Sequence, residues 1–218
     1  MNVTAFTKTY EGRRVLNMPG FELQEGRITA VIGANGSGKS TLAKVMAGIE
    51  PADQKKKVLP AGISVGYMPQ KNYAFRMSTE NNILLNGNDK DKAETLMEAL
   101  QLLPLARQRA KKLSGGETAK MSLVRLLMGN YELLILDEPT AAMDMESTLA
   151  AEELIRRHAA ECNCSVLLIT HSLQQARRLA DQVLFFCSGE LAETGSAEKL
   201  LDSPGKEETR RFLDFYGI

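Results

Sequence analysis

Nine consecutive residues, Gly33-Ala34-Asn35-Gly36-Ser37-Gly38-Lys39-Ser40-Thr41, have the types and spacing that hold a phosphate chain. Gly33, Gly38, Lys39 and Ser40 satisfy G-x-x-x-x-G-K-[ST], in which bare backbone N–H groups cradle the phosphates. The lysine neutralises the β and γ phosphates and the hydroxyl, here Ser40, coordinates magnesium. Four further polar residues stand at the ends of apolar runs: Gln70 after Met68-Pro69, Asp137 and Glu138 after Leu133 to Leu136, and His171 one residue past Val166 to Ile169. An aspartate so placed can hold magnesium through its water shell. A glutamate one residue on can polarise an attacking water, and a glutamine can offer its carbonyl to the metal and its NH2 to water. Two adjacent acids at a buried strand end are expensive without a cation beside them.

These groups need a scaffold that brings strand ends together. Ile28 to Ile32 reads as a strand and Leu42 to Ala47 as a helix stopped by Gly48 and Pro51, so the loop lies between a strand end and a helix start, where the helix dipole favours negative charge. Leu133 to Leu136 and Val166 to Ile169 are apolar without alternation, as parallel strands covered on both faces are. Open sheets of that kind place ligands at the carboxyl ends of their strands.

A second candidate phosphate site is Leu113-Ser114-Gly115-Gly116-Glu117. Ser114 and Glu117 have capping-box spacing and start a helix through Met121 to Met128. Two glycines in its first turn cost about 1 kcal/mol each relative to alanine, so close approach of an anion to their N–H groups, with the Ser114 hydroxyl, is the expected compensation.

The other segments are read more coarsely. Val3 to Tyr10 alternates as a strand, Glu11-Gly12 turns, and Phe21 to Leu23 is a second short strand. Tyr10 is either a base-stacking aromatic or a half-buried strand tyrosine. Ile63 to Met68 is a strand. Residues 71–112 lack a long apolar strand and show helical patterns at Thr79 to Leu85 and Asp91 to Leu103, the latter ended by Pro104. Tyr73, Ala74, Phe75 and Met77 suit either local packing or a partner's surface. Later come a loop at Thr140 to Asp144, a helix from Met145 to Ala160, a Ser172-capped helix to Ala180, a hairpin of Val183 to Cys187 with Leu191 to Thr194, and a helix near Glu207 to Phe215. His158 reads as packed or solvated.

The 218 residues suffice for one large domain, and 27 basic against 27 acidic residues leave no excess charge for a nucleic-acid surface. The basic run Lys55 to Lys57 reads as a solvated loop. No apolar run reaches the roughly 20 residues of a membrane span. Thr4, Thr7, Lys8 and Thr9 interrupt any signal-peptide core, and three cysteines suggest no disulfide or zinc framework. A cytosolic chain is expected.

Together these residues resemble an ATP-binding cassette (ABC) ATPase, the nucleotide-binding subunit of ABC transporters, over essentially the whole chain. Gly33 to Thr41 looks like its Walker A loop, Gln70 its Q-loop glutamine, Leu113 to Glu117 its LSGGQ signature, Leu133 to Asp137 its Walker B strand, Ala141 to Asp144 its D-loop and His171 its switch histidine. The resemblance implies an α/β fold of the P-loop NTPase (RecA-like) kind. Its parallel-sheet core and N-terminal antiparallel β portion would comprise residues 1–70 and 129–218, with a helical subdomain inserted at about 71–128. It implies ATP bound by Tyr10, now as the adenine-stacking aromatic, and by Gly33, Asn35, Gly36, Ser37, Gly38, Lys39, Ser40 and Thr41. Magnesium would be held by Ser40, Gln70 and Asp137, and catalysis carried by Glu138, His171 and Gln70.

A second cassette, paired head to tail, would contribute Ser114, Gly115, Gly116, Glu117 and Asp144 to each nucleotide. A separate integral permease would dock near Tyr73, Phe75 and Met77, holding the protein on the inner face of the membrane, most simply for import of a small polar solute or anion, with no nucleic-acid partner. An exporter ATPase, a soluble cassette acting on nucleic acid or ribosomes, and a regulatory module without turnover are the alternatives. The sequence departs from the family pattern at Glu117, which replaces the signature glutamine, at Met143, which replaces a leucine, and in a short interval between Lys39 and Gln70.

Overall fold

A computed structural model describes residues 1–216. In chain order the strands and helices are β1 (Asn2–Val3), β2 (Phe6–Tyr10), β3 (Arg13–Met18), β4 (Phe21–Glu22), β5 (Ile28–Gly33), α1 (Lys39–Met46), β6 (Val65–Met68), α2 (Thr79–Ile83), α3 (Lys90–Ala99), α4 (Gly115–Leu127), β7 (Leu133–Asp137), α5 (Met145–Glu161), β8 (Ser165–Ile169), α6 (Leu173–Leu179), β9 (Gln182–Cys187), β10 (Glu190–Ser196), α7 (Ala197–Asp202) and α8 (Glu207–Phe215).

Eight strands form one mixed sheet in the order β2-β3-β10-β9-β5-β8-β7-β6. From β9 to β6 every pairing is parallel. β10 runs antiparallel to β9, and the β2–β3 hairpin joins through the pair Glu190 and Asn17. The parallel strands β5, β7 and β8 are buried on both faces. In β7, Leu134 and Leu136 pack toward α3, α4 and α5, whereas Leu133 and Ile135 pack on the opposite side with Leu42 and Val45 of α1. That explains the lack of alternation in their sequence. Ala30, Ile32, Val183 and Phe185 form a third cluster with α6, α7 and α8.

Several local expectations need correction. Val3 to Tyr10 is two strands, because β1 leaves the main sheet to pair with β4. The partner of β2 is Arg13–Met18, a strand the sequence reading omits because its opening arginines leave apolar positions only from Val15, whereas Phe21 to Leu23 does contain a short strand, β4. α3 ends at Ala99, before Pro104, since Gln101 turns left-handed (φ 57°), and Pro104 sits inside a separate 3-10 turn, Leu103–Leu105. β10 is longer than Leu191 to Thr194. α7 was not anticipated, although Ser196 caps it by accepting from Lys199 N.

Candidate nucleotide site

The carboxyl ends of β5, β6, β7 and β8 converge on one open cavity of about 410 Å³, lined by Val15, Asn35, Gly36, Gly38, Lys39, Ser40, Thr41, Gln70, Asp137, Glu138 and Ile169. Residues far apart in sequence meet there because the parallel order places their strand ends side by side. The loop's shape depends on Gly38, which caps α1 at φ 101°; an added Cβ would meet Leu16 Cδ2 at 2.6 Å and Val15 O at 3.1 Å. Val15 and Leu16, on β3, thus close one wall of the loop. Sequence spacing gives no sign of them there.

Lys39 is buried, and its Nζ donates to Gly33 O (2.8 Å) and Ala34 O (2.9 Å). Burial lowers its pKa, opposed by the nearby Glu138 and Asp137 carboxylates. Asp137 is buried with Oδ1 unpartnered, and burial raises its pKa, reinforced by Glu138 and opposed by the Ser40 hydroxyl, Lys39 and Lys44. A raised carboxylate with an orphaned oxygen marks a place short of positive charge. Together with the hydroxyl of Ser40 and the amide of Gln70 it forms an all-oxygen donor set, which suits magnesium.

Glu138 has a left-handed backbone (φ 54°), rare for a non-glycine residue and costing on the order of 1–3 kcal/mol. Its N–H donates to Ile169 O at 2.9 Å, which holds the turn in place. His171 Nδ1 lies 2.7 Å from Glu138 Oε2, so the two strand-end residues touch directly. Ser37 Oγ is also buried without a partner.

The ABC transporter family model matches residues 16–141. The tungstate uptake system ATP-binding protein TupC of Peptoclostridium acidaminophilum is 35% identical over 208 residues, covering 88% of this chain and 97% of that protein. This chain belongs to the ABC transporter family. The zinc import ATP-binding protein ZnuC of Yersinia pestis bv. Antiqua (strain Antiqua) is 36% identical over 83% of this chain and 75% of its own length. A solved ATP-binding subunit of an ABC transporter superposes with TM-score 0.83 at 22% identity, covering 98% of each chain. An ATP-bound Atm1-family exporter matches with TM-score 0.85 at 22% identity, over the whole of this chain and 41% of that one. The fold is therefore that of an ABC ATPase, and the chain is an ATP-binding, ATP-hydrolysing subunit of an ABC transporter.

The remaining cassette residues lie outside the cavity. Ser114 caps α4 in a complete capping box: it accepts from Glu117 N, and Glu117 Oε2 accepts from Ser114 N at 2.7 Å. The acid in the signature is thereby turned onto its own helix terminus. The glycine pair is divided in role. A Cβ on Gly116 would meet Ala142 O at 2.7 Å, so this glycine is required by close packing against the D-loop, a cause inside the chain that needs no anion. A Cβ on Gly115 would meet nothing within 4 Å. Asp144 caps α5, and the Ser147 N–H it accepts at 2.8 Å is the main cause of its lowered pKa, with the Ser147 hydroxyl and Lys120 adding to it.

Tyr10 ends β2 and is not among the residues that line the cavity. Its hydroxyl donates to Glu50, and Lys8 Nζ lies 4.8 Å from the ring centroid. Tyr73 and Phe75 are exposed and pack edge to face at 5.1 Å. Arg125 of α4 reaches over Phe75 and donates to Tyr73 O at 3.1 Å, which ties this patch to the signature helix.

Proposed function

We propose that this chain is the ATPase of an import system, working as a head-to-tail pair around two ATP molecules and driving a separate membrane permease. The observation that carries the reading is the cavity in which Lys39, Ser40, Gln70, Asp137, Glu138 and Ile169 meet at four adjacent strand ends. The relatives named for tungstate and zinc uptake support import of a small polar solute or ion. Residues 71–128 form the inserted helical unit, and the exposed Tyr73 and Phe75, with the half-buried Met77, meet the permease, which holds the subunit at the cytoplasmic face of the membrane. No helix among the described residues is long and apolar enough to cross a membrane.

Asn35, Gly36, Ser37, Gly38 and Thr41 offer donors to the phosphate chain, and Lys39 leaves its loop carbonyls for the β and γ phosphates. Ser40, Gln70 and Asp137 would hold magnesium, which when bound would neutralise charge on the phosphate oxygens. Glu138 orients the attacking water and accepts its proton, while His171, moving off Glu138, faces the γ-phosphate. Ser114 and Gly115 of one copy close on the nucleotide held by the other, and Asp144 faces the partner across that seam. Tyr10 packs on the adenine once the base is seated.

The test is a Glu138→Gln variant with Mg-ATP. Retained nucleotide, loss of phosphate release and a shift from monomer to dimer in sedimentation support the reading. Unchanged turnover refutes it.

A further inference from the structure

Helix α5 carries a carboxylate, Glu152, only 3% exposed, and α6 carries an amide, Gln175, only 2% exposed. Buried polar groups of this kind must find partners, and these two find each other. Glu152 accepts from Arg178 Nε and Nη2, both at 2.7 Å, and from Gln175 Nε2 at 3.1 Å. Gln175 Nε2 has a second hydrogen, which goes to Thr140 Oγ1 at 2.9 Å. Thr140 stands two residues after Glu138, and its carbonyl accepts from Met143 N at 2.9 Å in the turn that leads to Asp144. On the other side, Gln175 N donates to Ser172 Oγ, and Ser172 N to Thr170 Oγ1, on either side of His171.

The Glu138 loop and the His171 loop are therefore joined twice through side chains, besides the backbone bond from Glu138 N to Ile169 O. One joint is the direct contact of Glu138 with His171 inside the site. The other is Thr140 to Gln175, neither of which lines the cavity. The first must open whenever His171 turns to a phosphate; the second can persist and keep the two loops in register. We propose that Gln175, oriented by Glu152 and Arg178, is a positioning residue for hydrolysis, fixing the Glu138 loop against the His171 loop through Thr140. It acts on the geometry of the water-activating carboxylate and leaves the phosphate loop untouched, so it affects turnover more than nucleotide binding.

The inference rests on the roles assigned above to Glu138 and His171, and the experiment separates the two. In the full-length chain, Thr140→Val and Gln175→Met each remove one end of the hydrogen bond while conserving volume and leaving Glu152 paired with Arg178. Each is expected to lower kcat for Mg-ATP by roughly three- to tenfold, the worth of one net hydrogen bond, with KM unchanged within about twofold. Thr140→Ser restores turnover, and the double variant is no slower than the slower single one because both act through one bond. Wild-type kcat in both single variants, losses that multiply in the double, or a loss confined to KM overturns the inference. If Glu138→Gln also hydrolyses ATP normally, the underlying site reading falls with it. If Glu138→Gln abolishes hydrolysis while the two single variants are unaffected, only the positioning role falls. Thermal unfolding of all variants guards against simple destabilisation, since a purely structural role lowers Tm without restoration of kcat by serine.

Discussion

The glycine pair at the start of α4 offers a test in which stability and function are expected to move in opposite directions. Gly115 has open space where a Cβ would stand. Its replacement by alanine relieves a helical glycine, which raises stability by a few tenths to about 1 kcal/mol. For a chain of this size that is an increase of about 1–4 °C in Tm. If the empty space is filled by the other subunit's nucleotide, the same methyl group stands between the Gly115 N–H and a phosphate. In a Glu138→Gln background, Mg-ATP should then no longer drive dimerisation, and in the wild-type background ATPase activity should fall by at least tenfold.

Gly116→Ala is the contrasting perturbation. Its Cβ would lie 2.7 Å from the Ala142 carbonyl oxygen, a backbone atom that cannot rotate away. Overpacking of this kind costs about 1–3 kcal/mol, so Tm should fall. Differential scanning fluorimetry without nucleotide and sedimentation velocity with Mg-ATP read the two effects separately. A Gly115→Ala protein that is more stable, dimerises with ATP and turns over at the wild-type rate refutes the assignment of that space to a nucleotide.

Other outcomes follow from individual contacts. Glu117→Gln keeps the capping box available, since glutamine can fill the same position, so Tm should change by less than about 2 °C and the KM for ATP by less than about twofold; a large gain in affinity would show that the carboxylate reaches the phosphates after all. Asp137→Asn removes a buried carboxylate whose pKa burial raises; because the unfolded chain holds that proton less tightly, wild-type stability drops as pH rises from the unfolded value toward the folded one. The asparagine variant should therefore be more stable than wild type near pH 7 without nucleotide, yet lose magnesium-dependent stabilisation by ATP, both measurable by thermal shift. Glu193 accepts from Gly205 N, Lys206 N and the Thr209 hydroxyl and anchors the start of α8. These bonds, that of Thr209 first, lower its pKa against the opposing effect of burial. Its contribution is present above the unfolded value of about 4.3 and is lost as pH falls through the lower folded value, so the Tm difference between wild type and Glu193→Gln should shrink between pH 6 and 3.

The sequence is most legible where function and chain direction coincide. Gly33 to Thr41 announces both a ligand and a strand-to-helix turn, because only glycine tolerates the Gly38 geometry and only a helix start gathers so many free N–H groups. Gln70, Asp137 and His171 are readable for a related reason: each stands just past the apolar residues of a strand, and parallel strands deliver their ends to one side. Strands with charged openings are harder. β3 begins Arg13-Arg14, so its pattern is legible only from its middle, and with it was lost the wall that Val15 and Leu16 build beside the phosphate loop. Gly116 shows the opposite difficulty. A glycine surplus can be recognised from helix energetics, but two different neighbours, a carbonyl of the same chain and open space, produce the same letter twice.

Residues joined side chain to side chain across helices leave no such trace. Thr140, Glu152, Gln175 and Arg178 fall in a loop, on α5 and on α6, and nothing in their local spacing distinguishes Glu152 from the exposed acid Glu153 beside it. What separates them is burial: Glu152 can remain inside only because Arg178 and Gln175 converge on it, and that convergence exists only once α5 and α6 have packed on the sheet. A buried carboxylate with fixed donors constrains its neighbours more tightly than an exposed one, since losing a partner leaves a desolvated charge uncompensated. The same condition that hides the network from the sequence therefore gives it the stiffness to hold two loops in register. A residue so constrained need not touch a substrate to determine how fast that substrate reacts.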